Sequence, residues 1–252
     1  MANADEEQHR TITEIVIVLG ASLGASAVYA VINLVGKLTE GRPLAQQKAI
    51  LNTSLSPRPY LDLAYQLADA TFALVPVTLA LFLLADRIPD AARRIGLDRR
   101  RPGSDLAAGV TLAALVGLPG LALYFAGRAL GATAEVVPVA LTPRWWAVPV
   151  LALQAVKNAL LEEVVVVGYL VTRLDRLGWP APARLAASAV LRGSYHLYQG
   201  FGPFLGNVAM GMVFGEWFRR RGRVMPLVIA HALLDLVAFV GYQLFAGSLG
   251  LR

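Results

Sequence analysis

Six ionisable side chains set inside long apolar runs constrain this chain more than any other feature. The runs read LEEVVVVGYL, LRGSYHLYQG and HALLDLVAFV, and they hold Glu162, Glu163, Arg192, His196, His231 and Asp235. A charge at the centre of a membrane helix costs about 2.5–3.5 kcal/mol on insertion scales. Several together therefore call for a function: a proton or ion path, a ligand site, or catalysis.

Hydrophobic residues make up 56% of the chain and charged residues 16%, where a soluble domain carries about a quarter charged. The expected class is all-α, a polytopic transmembrane helix bundle of about seven spans, with six to eight compatible. The absence of cysteine removes disulfides, thiolate ligands and a cysteine nucleophile. The net charge of +6 does not point to nucleic acid. Its basic residues lie between apolar segments, where they set topology and meet anionic lipid, and no aromatic-basic platform accompanies them.

Along the chain, residues 1–14 read as a polar N-terminal tail, 15–144 as membrane helices and loops, and 145–252 as a core that carries the chemistry. The first span is expected over Ile15 to Val35, with Gly20 and Gly24 in a GxxxG pattern. A long polar connection follows, whose middle, LAQQKAIL, suits a short interfacial helix. The second span, Ala64 to Ala85, is kinked at Pro76, and the third is Leu106 to Leu130. Trp145 and Trp146 open a fourth helix that runs to Val171. A fifth covers Ala183 to Gln199, a short sixth Phe204 to Phe218, and the last Met225 to Phe245. With seven spans, fourteen lysines and arginines fall on the side of the N-terminus and seven on the other, which predicts a cytoplasmic N-terminus and a multi-pass protein of the cell membrane.

His231 and Asp235 share one face of the last helix, as Arg192 and His196 do on the fifth and Asn158 and Glu162 on the fourth. Three helices can thus aim polar groups at one point. The adjacent pair Glu162–Glu163 is expected to repel itself in low dielectric, so that at least one member holds a proton. Such a carboxylate can take a proton from water and return it to a leaving amine.

The block from Leu161 to Asp235 resembles the CPBP intramembrane proteases, the CAAX-processing and bacteriocin-processing group that includes the Rce1-type prenyl-protein endopeptidases. That family carries Glu-Glu-x-x-x-Arg, then Phe-x-x-x-His, then His-x-x-x-Asn or Asp. Glu162 and Glu163 match the first motif, His196 the histidine of the second, and His231 with Asp235 the third. Val167 stands in place of the motif arginine and Arg192 in place of the phenylalanine.

The resemblance implies an intramembrane endopeptidase with Glu162, Glu163, His196, His231 and Asp235 as catalytic residues and Arg192 and Asn158 in support. It also implies a membrane-associated protein or peptide substrate, a prenylated one being one option. Glutamate-activated water, with Glu162 as base and His196 and His231 polarising the substrate, is preferred. Zinc held by His196 and His231 stays open as the alternative. An ion-coupled transporter and a peptide-binding scaffold are the rivals, and the transporter is disfavoured by the lack of an internal repeat. The swapped arginine yields a further expectation: Arg192 supplies from the fifth helix the cation that Val167 no longer supplies from the fourth.

Overall fold

The computed structural model describes residues 2–86 and 90–245. Arg87 and Arg252, both counted in the charge tally, lie outside that range. The elements are α1 (Ala2–Gly20), α2 (Leu23–Thr39), β1 (Lys48–Thr53), α3 (Pro59–Phe72), α4 (Val75–Ala85), α5 (Ala91–Arg94), α6 (Pro102–Ala129), β2 (Glu135–Ala140), α7 (Ala147–Glu162), α8 (Leu170–Arg176), α9 (Ala181–Ser194), α10 (Phe201–Arg221) and α11 (Met225–Phe245). A π-helical segment, Glu163–Tyr169, joins α7 to α8, and a 3₁₀ turn, Leu197–Gln199, follows α9. The helical membrane-protein class holds.

Several expectations need correction. Among the described residues three stretches are long and apolar enough to cross a membrane: Pro59–Ala85, Pro102–Ala129 and Met225–Phe245. The pair α1 and α2, bent by 54°, makes a fourth if counted as one span. The expected count of seven is not reached on this measure. The fourth helix carries Lys157, Glu162, Glu163 and Arg173, and α9 has only 14 residues. The polar tail is not separate from the first helix, because α1 starts at Ala2. Gly20 and Gly24 flank the bend rather than a helix–helix contact: a Cβ on Gly24 would strike the Leu19 carbonyl, and one on Gly20 would meet open space. LAQQKAIL is a 3₁₀ turn and the start of β1, not a helix. The sixth helix is 21 residues, longer than its apolar centre implies.

The strands pair in parallel, Lys48 with Glu135 through Thr53 with Ala140. They come from the connections after α2 and after α6, so those two connections share one end of the bundle. The Gly200 break joins that end by bridging Thr133. At the opposite end Arg223, between α10 and α11, bonds Asp105 at 2.6 and 2.9 Å and Asp98 at 3.1 Å. Gly96, at φ +66°, lies so close there that a Cβ would sit 2.5 Å from the Arg223 Cα. The Arg100 N–H and the Arg223 guanidinium hold the Asp98 carboxyl below its usual range. This depressed value means the Asp98 contribution is present above the unfolded aspartate value and lost as pH falls through the folded one. Acid is therefore expected to loosen this end, read as hydrogen exchange at Val224 and Met225, whose N–H groups bond Ile95 and Gly96. Asp98→Asn should flatten that pH dependence.

Glycines set the closest helix packing. A Cβ on Gly211 would stand 2.8 Å from the Ala189 Cα, and one on Gly193 2.5 Å from Val208, so α9 and α10 meet nearly backbone to backbone. This close approach brings Arg192 and Phe214 together, with the guanidinium 5.6 Å from the ring centre. Arg173, counted as a loop arginine in the tally, is instead 2% exposed, 2.7 Å from Glu14 and bonded to the Leu83 carbonyl.

Candidate active site

Four valines from Val164 to Val167 crowd the backbone just after the two glutamates. The helix there widens to a π register, in which the Leu170 N–H bonds the Val165 carbonyl. Ser188 donates to the Val166 carbonyl at 2.9 Å, supplying from α9 a partner for a group that the wider register displaces. Glu162 closes the regular helix and Glu163 opens the π segment.

The two carboxylates occupy different surroundings. Glu163 is fully buried. Both its oxygens accept from Arg192 Nη2, at 2.7 and 2.8 Å, and Oε1 also meets His231 Nδ1 at 2.7 Å. Glu162 lies on the wall of a cavity of about 450 Å³ that it shares with Asn158, His196, His231 and Asp235. Its Oε2 accepts from Tyr195 Oη at 2.7 Å and from Arg192 Nη1 at 3.3 Å. Its Oε1 has no hydrogen-bond partner among the described residues. Arg192 therefore reaches both glutamates, and charge is balanced across the pair by a guanidinium rather than by a shared proton alone. Val167 has left the polar cluster and packs in a core with Leu112, Phe214, Leu227 and Ala230.

His196 follows α9, just before the 3₁₀ turn. Gln199 Nε2 lies 3.2 Å from His196 Nδ1. With the amide donating, Nδ1 is the acceptor and Nε2 carries the proton. That Nε2 is buried, has no hydrogen-bond partner among the described residues, and stands 3.9 Å from Glu162 Oε2. On α11, His231 Nε2 stands 3.9 Å from Asp235 Oδ1, while Asn158 donates to Asp235 Oδ2 at 3.1 Å.

Sequence reasoning did not find Tyr195 or Gln199, since a tyrosine and a glutamine near a helix end carry no signal until their partners are known. Asp69 lines the cavity, 3.3 Å from Gln154 and 3.6 Å from Lys157.

The zinc alternative can be tested on the donors. Glu163 and Gln199 occupy the Nδ1 atoms of His231 and His196 and leave the Nε2 atoms to face the cavity, but the Arg192 guanidinium lies against the carboxylates that would complete a ligand set. Among the described residues no three histidine or acidic side chains are grouped so that they could hold a metal ion. These donors do not fit a resident zinc ion, and no step below is routed through one.

A helical membrane protein with a glutamate–histidine centre is the class that this fold and site define. Residues 144–237 match the family model described as type II CAAX prenyl endopeptidase, Rce1-like, in agreement with the motifs. No curated protein and no solved structure matches the chain.

Proposed function

We propose that this chain is an intramembrane endopeptidase of the CAAX-processing type, in which Glu162 activates the water that cuts a peptide bond. The observation that carries this reading is the asymmetry of Glu162 on the cavity wall: one oxygen is fixed by Tyr195 and Arg192, and the other has no partner among the described residues. In the reaction, water gives a proton to Glu162 as its oxygen bonds the substrate carbonyl carbon, and the carbonyl becomes an oxyanion. His196 Nε2–H donates to that oxyanion, and His231 Nε2 adds a second donor when the ring is an imidazolium. Collapse of the intermediate breaks the C–N bond while the proton passes from Glu162 to the leaving amine. Ionised Asp235 is an acceptor only, so it does not bind the oxyanion; its charge faces His231 Nε2 at 3.9 Å, while Glu163 at Nδ1 orients the ring. Arg192 and Glu163 are positioning residues behind the site.

The test is cleavage of a tagged library of membrane-protein segments in detergent, wild type against Glu162→Gln. Cleavage by the wild type alone is expected, and equal cleavage by both would overturn the reading. Gln199→Leu should lower kcat about tenfold with little change in KM, because His196 loses the bond that fixes its tautomer.

The substrate is a membrane-associated protein or peptide, and a prenylated one is the class that the family description names. The charge tally puts the N-terminus and the exposed Arg99–Arg101 run in the cytoplasm, against anionic lipid, and the β1 end outside. An impermeant thiol reagent added to intact cells should then label a cysteine placed at Leu55 and spare one placed at Arg100. The reverse pattern would invert the orientation.

A further inference from the structure

The two-stranded sheet has two outer edges, and only one of them is closed. On β2's outer side the Ala134 N–H, just before the strand, bonds the Gln199 carbonyl at 2.9 Å, the Val136 N–H bonds Tyr124 Oη at 3.2 Å, and Pro138 has no N–H. Such blocking is what a sheet edge needs to avoid unwanted pairing.

On β1 the Gln47 carbonyl accepts from Glu135 N–H at 2.8 Å, which fixes the alternation of the parallel ladder. Ala49, Leu51 and Thr53 turn their peptide groups to β2, and Lys48, Ile50 and Asn52 turn theirs away. The Lys48 carbonyl is taken by Lys37 Nζ at 3.0 Å. The outward N–H and C=O groups of Ile50 and Asn52 have no partner among the described residues. Ile50 is half exposed, and Asn52 and Thr53 lie on the wall of the cavity that holds Glu162. The open edge therefore runs from the surface into the candidate active site.

We propose that the outer edge of β1, at Ile50 and Asn52, receives the substrate as an added strand and leads it to Glu162. This rests on the endopeptidase reading. The occupant is an extended peptide. A helix about 10–12 Å across would fill 450 Å³ with roughly one turn, and its own ladder would occupy the carbonyl to be attacked. An extended segment leaves that carbonyl free, and its backbone supplies what Ile50 and Asn52 lack.

The experiment uses the full-length Glu162→Gln protein in detergent and fluorescent decapeptides, with and without a farnesylated cysteine. Each backbone nitrogen of a decapeptide is methylated in turn and binding is read by anisotropy. Because outward groups recur every second residue, affinity should fall about tenfold at two positions spaced by two and little at the position between. Ile50→Pro removes an outward N–H that the ladder with β2 does not use and sets the proline ring in its place, which blocks a strand from that edge, so it should abolish the alternation. Equal effects at all positions, or binding of no peptide, would overturn the proposal. So would an Ile50→Pro variant that turns a dimer into a monomer yet keeps the alternation, since the edge would then pair with a second copy. Alternating binding to Glu162→Gln, with no cleavage by the wild type, would sustain the edge and sink the endopeptidase reading.

Discussion

Arg192→Phe is expected to destabilise the protein by about 3–5 kcal/mol, because it strands a buried carboxylate without its cation. Glu163 is fully buried and spends both oxygens on Arg192, so no solvent can replace the guanidinium. Adding Val167→Arg should recover part of the loss. Position 167 lies one turn beyond Glu163, and its side chain packs on Phe214, the ring that also faces Arg192. Recovery should be incomplete, since Val167 is fully buried in a packed core and overpacking costs about 1–3 kcal/mol. Melting in detergent checks this. Equal melting temperatures for the single and double variants would remove any support for an arginine exchanged between helices.

The two adjacent glutamates should fail in different ways. Glu162→Gln is expected to lower cleavage by about 10²–10⁴-fold, the usual yield of a general base, and to leave melting nearly unchanged. Its amide can still accept from Tyr195, and the oxygen it alters has no partner among the described residues. Glu163→Gln should instead lower the melting temperature markedly, because it leaves the fully buried Arg192 poorly balanced and loosens His231. Paired measurements of melting and cleavage separate the two roles. Equal loss of stability in both variants would contradict the division.

The basic loops illustrate a limit of counting charge along a chain. Arg173 entered the tally as a loop residue, yet it is buried against Glu14, with its guanidinium 5.4 Å from the centre of the Tyr169 ring. Arg99 to Arg101 do remain exposed. A sequence places both kinds of arginine beside an apolar run, and only the packing around each one distinguishes an anchor from a buried partner.

What the sequence determined by itself is the class and the polar centre. Apolar length dictates helices, and spacing of four residues puts His231 with Asp235 and Asn158 with Glu162 on common faces whatever surrounds them. The energetic penalty of charge in oil favours gathering such groups, and Asn158, Glu162, His231 and Asp235 line one cavity. Tertiary structure alone decided which glutamate faces that cavity. The two are neighbours in sequence, and the orientation follows from the π register after Glu162 and from Arg192 arriving on α9. It alone also placed the 48–53 segment as a strand, because β1 has no partner until β2, more than eighty residues later, lies beside it. Long-range pairing leaves no local periodicity to read, and so the first half of the chain, which looked like generic membrane helix and loop, supplies part of the wall of the site.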